Sequence, residues 1–347
     1  MRIFRTLLFP FSLLYAAITG LRNYFYDKGW FKSFAFEVPV IAVGNLSVGG
    51  TGKTPMIEYL VRLLKEDHRL AVLSRGYGRK TKGFIIAEKE SNSKEIGDEP
   101  YQYFKKFEDI QVAVDEDRVN GANRLLQMNN PPELVLLDDA FQHRRIQAGL
   151  YILLTSYGKL FSEDWILPTG NLREMKSGAK RAQVIVVSKC PENLDESEKK
   201  SITIRLRQHE QQEVFFTTIT YADNAIGAMG TMSIEELADQ RLILVTGIAD
   251  PAPLLEFLKS IKIEFEHLNF SDHHRLSPNE LGRIESSLKR LPGDKKIILT
   301  TEKDFVRNFE SSSLPTYYLP IRTRFLGGEA HFNKIIQHYV RKNKGNS

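Results

Sequence analysis

Three features of this sequence predict an α/β fold: a mostly parallel sheet with helices on both faces, plus a second, smaller α/β domain. Short β-branched runs alternate with longer amphipathic segments. Several of the short runs are apolar throughout, as parallel strands covered on both sides must be. The length, 347 residues, accommodates about two domains at roughly 100–200 residues each. With 42% hydrophobic and 26% charged residues, a disordered or fibrous chain is excluded. The single cysteine, Cys190, has no partner for an internal disulfide, and no Cys/His cluster has zinc spacing, so a reducing cytoplasmic compartment fits. Lys and Arg number 48 against 43 Asp and Glu. This mild excess suits an anionic partner and leaves nucleic acid, phospholipid and nucleotide open.

The chain opens on an apolar stretch, Thr6 to Leu21, flanked by Arg2 and Arg5 before it and by Arg22, Asp27, Lys28 and Lys32 after it. The aromatic and charged residues that follow offer no small-residue cleavage site, which argues against export. The run is shorter than the ~20 residues of a full span and contains Pro10 and Gly20. Tyr24, Tyr26, Trp30 and Phe31 beside basic residues resemble an interfacial belt, so residues 1–32 are expected as a membrane-associated helix. A helix buried on the domain is the alternative.

Strands are expected at Val38–Val43, Leu70–Leu73, Leu134–Leu137 and Val184–Val187, with a helix over Met56–Glu66. These make a first domain over 33–213. The isolated β stretch Val214–Tyr221 and the Gly-containing Ala225–Gly230 are expected as a linker over 214–230 acting as a hinge. A smaller domain over 231–347 would contain strands at Leu242–Val245, Phe265–Phe270 and Lys296–Thr300, with a helix from Pro253 to Ile261. The basic, polar tail from Arg341 to Ser347 reads as a frayed end.

Directly after the first strand stands Gly49-Gly50-Thr51-Gly52-Lys53-Thr54, ahead of a helix. This is the order a phosphate-binding loop requires, although Ser47 replaces the first glycine of G-x-x-x-x-G-K-[ST]. The glycines admit phosphate oxygens to backbone N–H groups, Lys53 can reach the β and γ phosphates, and the Thr54 hydroxyl can ligate Mg²⁺. Val48, where a signature lysine would precede Gly-Gly, argues against a partitioning-type ATPase. The strand Leu134–Leu137 ends in Asp138 and Asp139, acids at the edge where the loop lies, and Asp138 is the expected metal-side carboxylate. As isolated residues, Asp98 reads equally as a helix cap, and His273 reads first as a capping or core histidine.

A resemblance enters here. The segments VGNLSVGGTGKTP (43–55), LSRGYGR (73–79), GDEP (97–100), DDAFQH (138–143), LRE (172–174), DHH (272–274) and TEKD (301–304) resemble, in order and spacing, the tetraacyldisaccharide 4′-kinase family, the lipid A 4′-kinases of Gram-negative bacteria. Ala140 departs from that pattern, which usually has Gly there. The resemblance implies transfer of the γ-phosphoryl of ATP, with Mg²⁺, to the 4′-hydroxyl of a tetraacylated glucosamine disaccharide 1-phosphate at the cytoplasmic face of the inner membrane. It implies Asp98 as the base, with His273 orienting or tuning it, and Lys53, Thr54, Asp138 and Asp139 around the phosphates and metal. Arg75, Tyr77, Arg79, Arg118 and Arg173 are the expected contacts to the anionic substrate. Glu302-Lys303-Asp304 either face the nucleotide or simply open a helix. No nucleic-acid partner is expected, and the chain is expected to act as a monomer. The rivals are a P-loop ATPase acting as a nucleotide-driven switch at the membrane and a membrane-bound nucleotide sensor.

Overall fold

The structure, a computed structural model, describes residues 7–207 and 209–344. Thr6 and the rest of residues 1–6, and residues 345–347 of the tail, lie outside the described residues. The strands of the first part of the chain are β1 Val40–Asn45, β2 Leu70–Ser74, β3 Ile85–Ile86, β4 Gln111–Val114, β5 Leu134–Asp138, β6 Leu150–Ser156, β7 Val184–Ser188 and β8 Glu213–Tyr221. Those of the second are β9 Asn224–Gly227, β10 Gly230–Ser233, β11 Arg241–Thr246, β12 Phe265–Asn269, β13 Lys296–Thr300, β14 Thr316–Tyr318 and β15 Ile321–Phe325. They form a nine-stranded sheet, β15-β8-β7-β6-β1-β5-β2-β4-β3, and a six-stranded sheet, β10-β9-β14-β13-β11-β12. From β8 to β4 the larger sheet is parallel, and β15 and β3 close its two edges antiparallel.

The uninterrupted apolar runs are central strands because both their faces are covered. Ile41 and Val43 of β1 pack with Met56, Ile57 and Leu60 of the helix Lys53–Leu64 and with Phe332, Ile336 and Val340 of the helix Glu329–Lys344. Val40 and Ala42, the alternate residues, face Val119, Ala122 and Leu125 of the helix Arg118–Leu126 on the opposite side. Each such aliphatic or aromatic side chain contributes about 1.5–3 kcal/mol by leaving water. From β1 the chain crosses to β2 on one side, and β5 later feeds β6 on the other, so β1 is where the strand order reverses. Ligands of open α/β sheets bind beyond the carboxyl end of that strand.

The domain limits differ from those expected. Val214–Tyr221 lies within β8, an inner strand of the larger sheet, because its buried residues Phe215 and Phe216 belong to that sheet's two cores. Residues 321–344 also return to the larger sheet, as β15 and the helix Glu329–Lys344. The smaller domain is therefore inserted between β8 and β15. Its outgoing and returning strands are tied where the Ala222 N–H donates to the Pro320 carbonyl at 2.9 Å.

The N-terminal helix, Phe9–Asp27, inverts the usual amphipathic arrangement. Its polar stripe faces the protein. Ser12 Oγ donates to Thr169 Oγ1 at 2.7 Å, Tyr15 Oη to the Arg173 carbonyl at 3.0 Å, and Asn23 Nδ2 to Glu174 at 2.7 Å. Phe11, Leu13, Leu14, Ile18 and Leu21 are exposed. Among the described residues, no helix is long and apolar enough to cross a membrane.

Candidate active site

The loop from Ser47 to Gly52 leaves β1 at the switch point. Ser47 bridges Leu172, and the Val48 N–H donates to the Asn171 carbonyl at 2.8 Å. Gly49 (φ 103°) and Gly52 (φ 80°) adopt left-handed conformations that only glycine takes without strain, which turns the loop into the helix starting at Lys53. The loop is braced from β7, where Ser188 Oγ donates to the Thr51 carbonyl at 2.9 Å. Asn45 Nδ2 holds Thr51 Oγ1 at 2.9 Å from within.

The two strand-end acids occupy different environments. Asp138 is buried, and burial, followed by the charges of Asp139 and Glu99, pushes its carboxyl up to about 6. Tyr103 Oη donates to Asp138 Oδ2 at 3.3 Å, while Asp138 Oδ1 has no partner. Asp139, in a left-handed conformation (φ 48°), turns toward the loop. Lys53 Nζ lies 3.6 Å from its Oδ1, and Arg173 Nη1 donates to both its oxygens at 3.1 Å. Burial would raise this carboxyl, but the two cations outweigh it and hold it below its ordinary value.

Arg118 and His143 line a cavity of about 210 Å³ together with Arg145. Arg118 is buried, with its Nε unpartnered, and burial brings its guanidinium down to about 10. Burial and the nearby Arg118 and Arg75 charges push the His143 imidazole down to about 4, so the ring is neutral at pH 7. Arg75 and Tyr77 are exposed on the loop after β2. Arg79, also expected to contact the substrate, leaves its Nη1 buried without a partner. Its guanidinium is bonded to Glu116 and to the Gly83 carbonyl, which braces the loop.

The inserted domain supplies the opposite wall. Asp98, buried at the start of the helix Asp98–Lys106, accepts from Arg307 Nε at 2.7 Å and from Arg275 Nη2 at 3.3 Å. Arg307 Nη2 also lies 3.2 Å from His273 Nδ1, so Arg307 bridges Asp98 and the histidine expected to orient or tune it. The His273 ring, at φ 60°, meets the Tyr77 ring edge-on at 6.0 Å. Lys303 Nζ donates to Glu99 at 2.8 Å. Burial would raise the Glu99 carboxyl, yet Lys303 outweighs it and holds it at about 2. Glu302 reaches Lys106, and Asp304 accepts from the Gly247 N–H. These three acidic and basic side chains thus bind the first domain or another loop of their own domain. Sequence reasoning missed Arg307, Arg275, Tyr103 and Lys189. The last follows β7 in a left-handed conformation (φ 59°), with Nζ 4.0 Å from where a Cβ on Gly50 would stand.

Comparison with known proteins follows this geometry. A family model described as tetraacyldisaccharide-1-P 4′-kinase matches residues 4–341. A tetraacyldisaccharide 4′-kinase of Flavobacterium johnsoniae is 48% identical over 344 residues, covering 99% of each chain. One from Flavobacterium psychrophilum is 48% identical over 349 residues, covering 100% of each. The crystal structure of the "apo" form of LpxK from Aquifex aeolicus in complex with ATP superposes with a TM-score of 0.78 at 31% identity, covering 97% of this chain and 99% of that one. A match spanning almost every residue, with the phosphate loop and paired acids in place, means that the chain belongs to the tetraacyldisaccharide 4′-kinase family.

Proposed function

We propose that this protein transfers the γ-phosphoryl group of ATP to the 4′-hydroxyl of a tetraacylated glucosamine disaccharide 1-phosphate, a lipid A precursor, and that the residues described above divide the work. The observation that carries the reading is the phosphate loop, whose Lys53 lies 3.6 Å from Asp139 beside the buried Asp138. Backbone N–H groups of Gly49, Gly50, Thr51 and Gly52 receive the phosphates, with Ser47 at the loop's mouth. Lys53 neutralises charge on the transferred group.

The residues fit a Mg²⁺ ion. Asp138 Oδ1 is a buried acceptor without a partner, on a carboxylate whose other oxygen accepts from Tyr103. Among the described residues, no group of three or more His, Cys, Asp or Glu side chains encloses a metal. The site therefore suits an ion held by one or two protein oxygens and the nucleotide phosphates. Thr54 and Asp138 would hold it, with Asp139 beside them, and it would neutralise charge on the phosphate oxygens during transfer. Asp98 accepts the proton of the sugar hydroxyl, while Arg75, Tyr77, Arg118 and Arg173 bind the anionic disaccharide.

The outward apolar face of the N-terminal helix rests on the cytoplasmic face of the inner membrane, where the acyl chains of the substrate lie. The protein acts there as a monomer. The decisive experiment follows labelled γ-phosphate from Mg-ATP into a tetraacylated disaccharide 1-phosphate in detergent micelles, for wild type and Asp98→Ala. Labelled lipid from the wild type, strongly reduced in the variant, is the expected result. Hydrolysis without labelled lipid would overturn the kinase reading, and equal transfer by both proteins would remove Asp98 as the base.

A further inference from the structure

Arg307 is a buried charged group at the domain junction, with its side chain 1% accessible. A buried guanidinium must be fully bonded to be tolerated. Here the bonds go to specific places. Nε donates to Asp98 Oδ2 at 2.7 Å, across the junction, and Nη1 donates to Asp304 Oδ1 at 3.1 Å and to the Gly247 carbonyl at 3.4 Å. Nη2 meets His273 Nδ1 at 3.2 Å. Asp304 is itself fixed, because its Oδ2 accepts from the Gly247 N–H at 2.9 Å and from Thr301 Oγ1 at 2.7 Å. Arg307 therefore projects from a rigid base and holds two groups in one planar fork.

The chemistry of the fork has a consequence for His273. A guanidinium offers only donors. The imidazole nitrogen it meets must accept, which places the ring proton on Nε2. We propose that Arg307 is a positioning residue for phosphoryl transfer: it orients Asp98 and His273 relative to each other across the domain junction and fixes His273 as the Nε2–H tautomer. The contact between Asp98 and His273 then runs through Arg307, and His273 presents a donor to the cleft beside Tyr77. This inference rests on the reading of Asp98 as the base.

The test has two arms. In the first, ¹⁵N-histidine-labelled wild-type protein, with His273 assigned by a His273→Gln variant, reports which ring nitrogen carries the proton. An unprotonated Nδ1 in the wild type, with a mixture of tautomers in Arg307→Met, is expected; a protonated Nδ1 in the wild type overturns the proposal. The second arm measures transfer by Arg307→Lys, which keeps the charge and loses the fork. A fall in kcat of about 100-fold, with KM for ATP changed less than threefold, is expected. Activity within threefold of wild type would sink the positioning role. Asp98→Asn is run alongside. If that variant transfers normally, the base assignment fails, while the nitrogen spectrum still decides what Arg307 does to His273.

Discussion

Tyr103 Oη donates to Asp138 Oδ2 at 3.3 Å, and the other oxygen of that carboxylate is buried without a partner. The tyrosine is thus a neutral donor that steadies an acid already pushed up to about 6 by burial. Tyr103→Phe removes it, and an unsatisfied buried acceptor costs roughly 1–3 kcal/mol. The carboxyl should then hold its proton more tightly. The Mg²⁺ concentration for half-maximal activity should rise about tenfold, more at pH 6 than at pH 8. A magnesium titration at the two pH values checks this, and identical curves for variant and wild type would contradict it.

Lys53 Nζ lies 3.6 Å from Asp139 Oδ1, beside the phosphate loop. In Lys53→Met, transfer should fall by about 10²–10³-fold, the scale of losing one preorganised charge at a transition state. The thermal stabilisation conferred by ATP should vanish as well, since a ligand stabilises only what it binds. Scanning calorimetry with and without ATP separates lost binding from lost chemistry.

Gly44, in β1, has no room for a side chain: a Cβ there would stand 2.6 Å from Phe141 Cβ and 2.9 Å from the Phe141 backbone nitrogen. Because the clash is with backbone, Gly44→Ala must displace the turn that follows Asp138 and Asp139. A loss of about 1–3 kcal/mol in stability is expected. A larger proportional loss of activity should accompany it, because the acids move with the turn. Chemical denaturation and the transfer assay measure the two.

The cluster beneath the junction predicts a pH dependence. Lys106 Nζ is 2.8 Å from both Glu58 and Glu302, which are buried. Burial, then the charge of Glu58, outweighs the lysine and raises Glu302 from 4.5 to about 7. The folded protein thus retains a proton that the unfolded chain has released over this window. Stability contributed by Glu302 is present below about pH 4.5 and is lost as pH rises through about 7. Replacing it, Glu302→Gln should flatten the decline in melting temperature between pH 5 and pH 8. Parallel profiles for variant and wild type would show that Glu302 is not the titrating group.

The exposed row on the N-terminal helix makes a separate prediction. Leu14→Glu, on the outward face, should reduce co-sedimentation with vesicles of bacterial lipid at least several-fold, because a carboxylate replaces buried hydrocarbon. Its melting temperature should stay within about a degree, since substitutions at exposed positions are usually neutral for folding. Unchanged sedimentation would detach the helix from the membrane reading.

What the sequence revealed follows from how far apart the cooperating residues lie. Gly49 to Thr54 is legible because loop, lysine and helix start are contiguous, and Asp138 because an apolar strand leads straight to it. Arg307 is not, since its partner Asp98 is 209 residues away and an arginine in a helical context ordinarily reads as solvated surface. Leu150–Ser156 is not legible as a strand because a leucine-rich run suits a buried helix equally well. The return of β15 was hidden for another reason. The alternation of Ile321, Thr323 and Phe325 marks a strand without saying which sheet it joins, and pairing with β8 is decided only by tertiary packing.

The hydrogen bond between Ala222 and Pro320 marks the place where one domain is threaded into the other. During synthesis, the inserted domain has its whole chain available once residue 320 has left the ribosome, whereas the larger sheet still lacks β15 and the helix that covers Ile41 and Val43. The nascent protein must therefore carry an open hydrophobic face and an unpaired strand edge until residues 321–344 emerge. Translation stalled shortly after residue 320 would leave a product with one finished domain and one sticky half-domain, a substrate for chaperones and proteases.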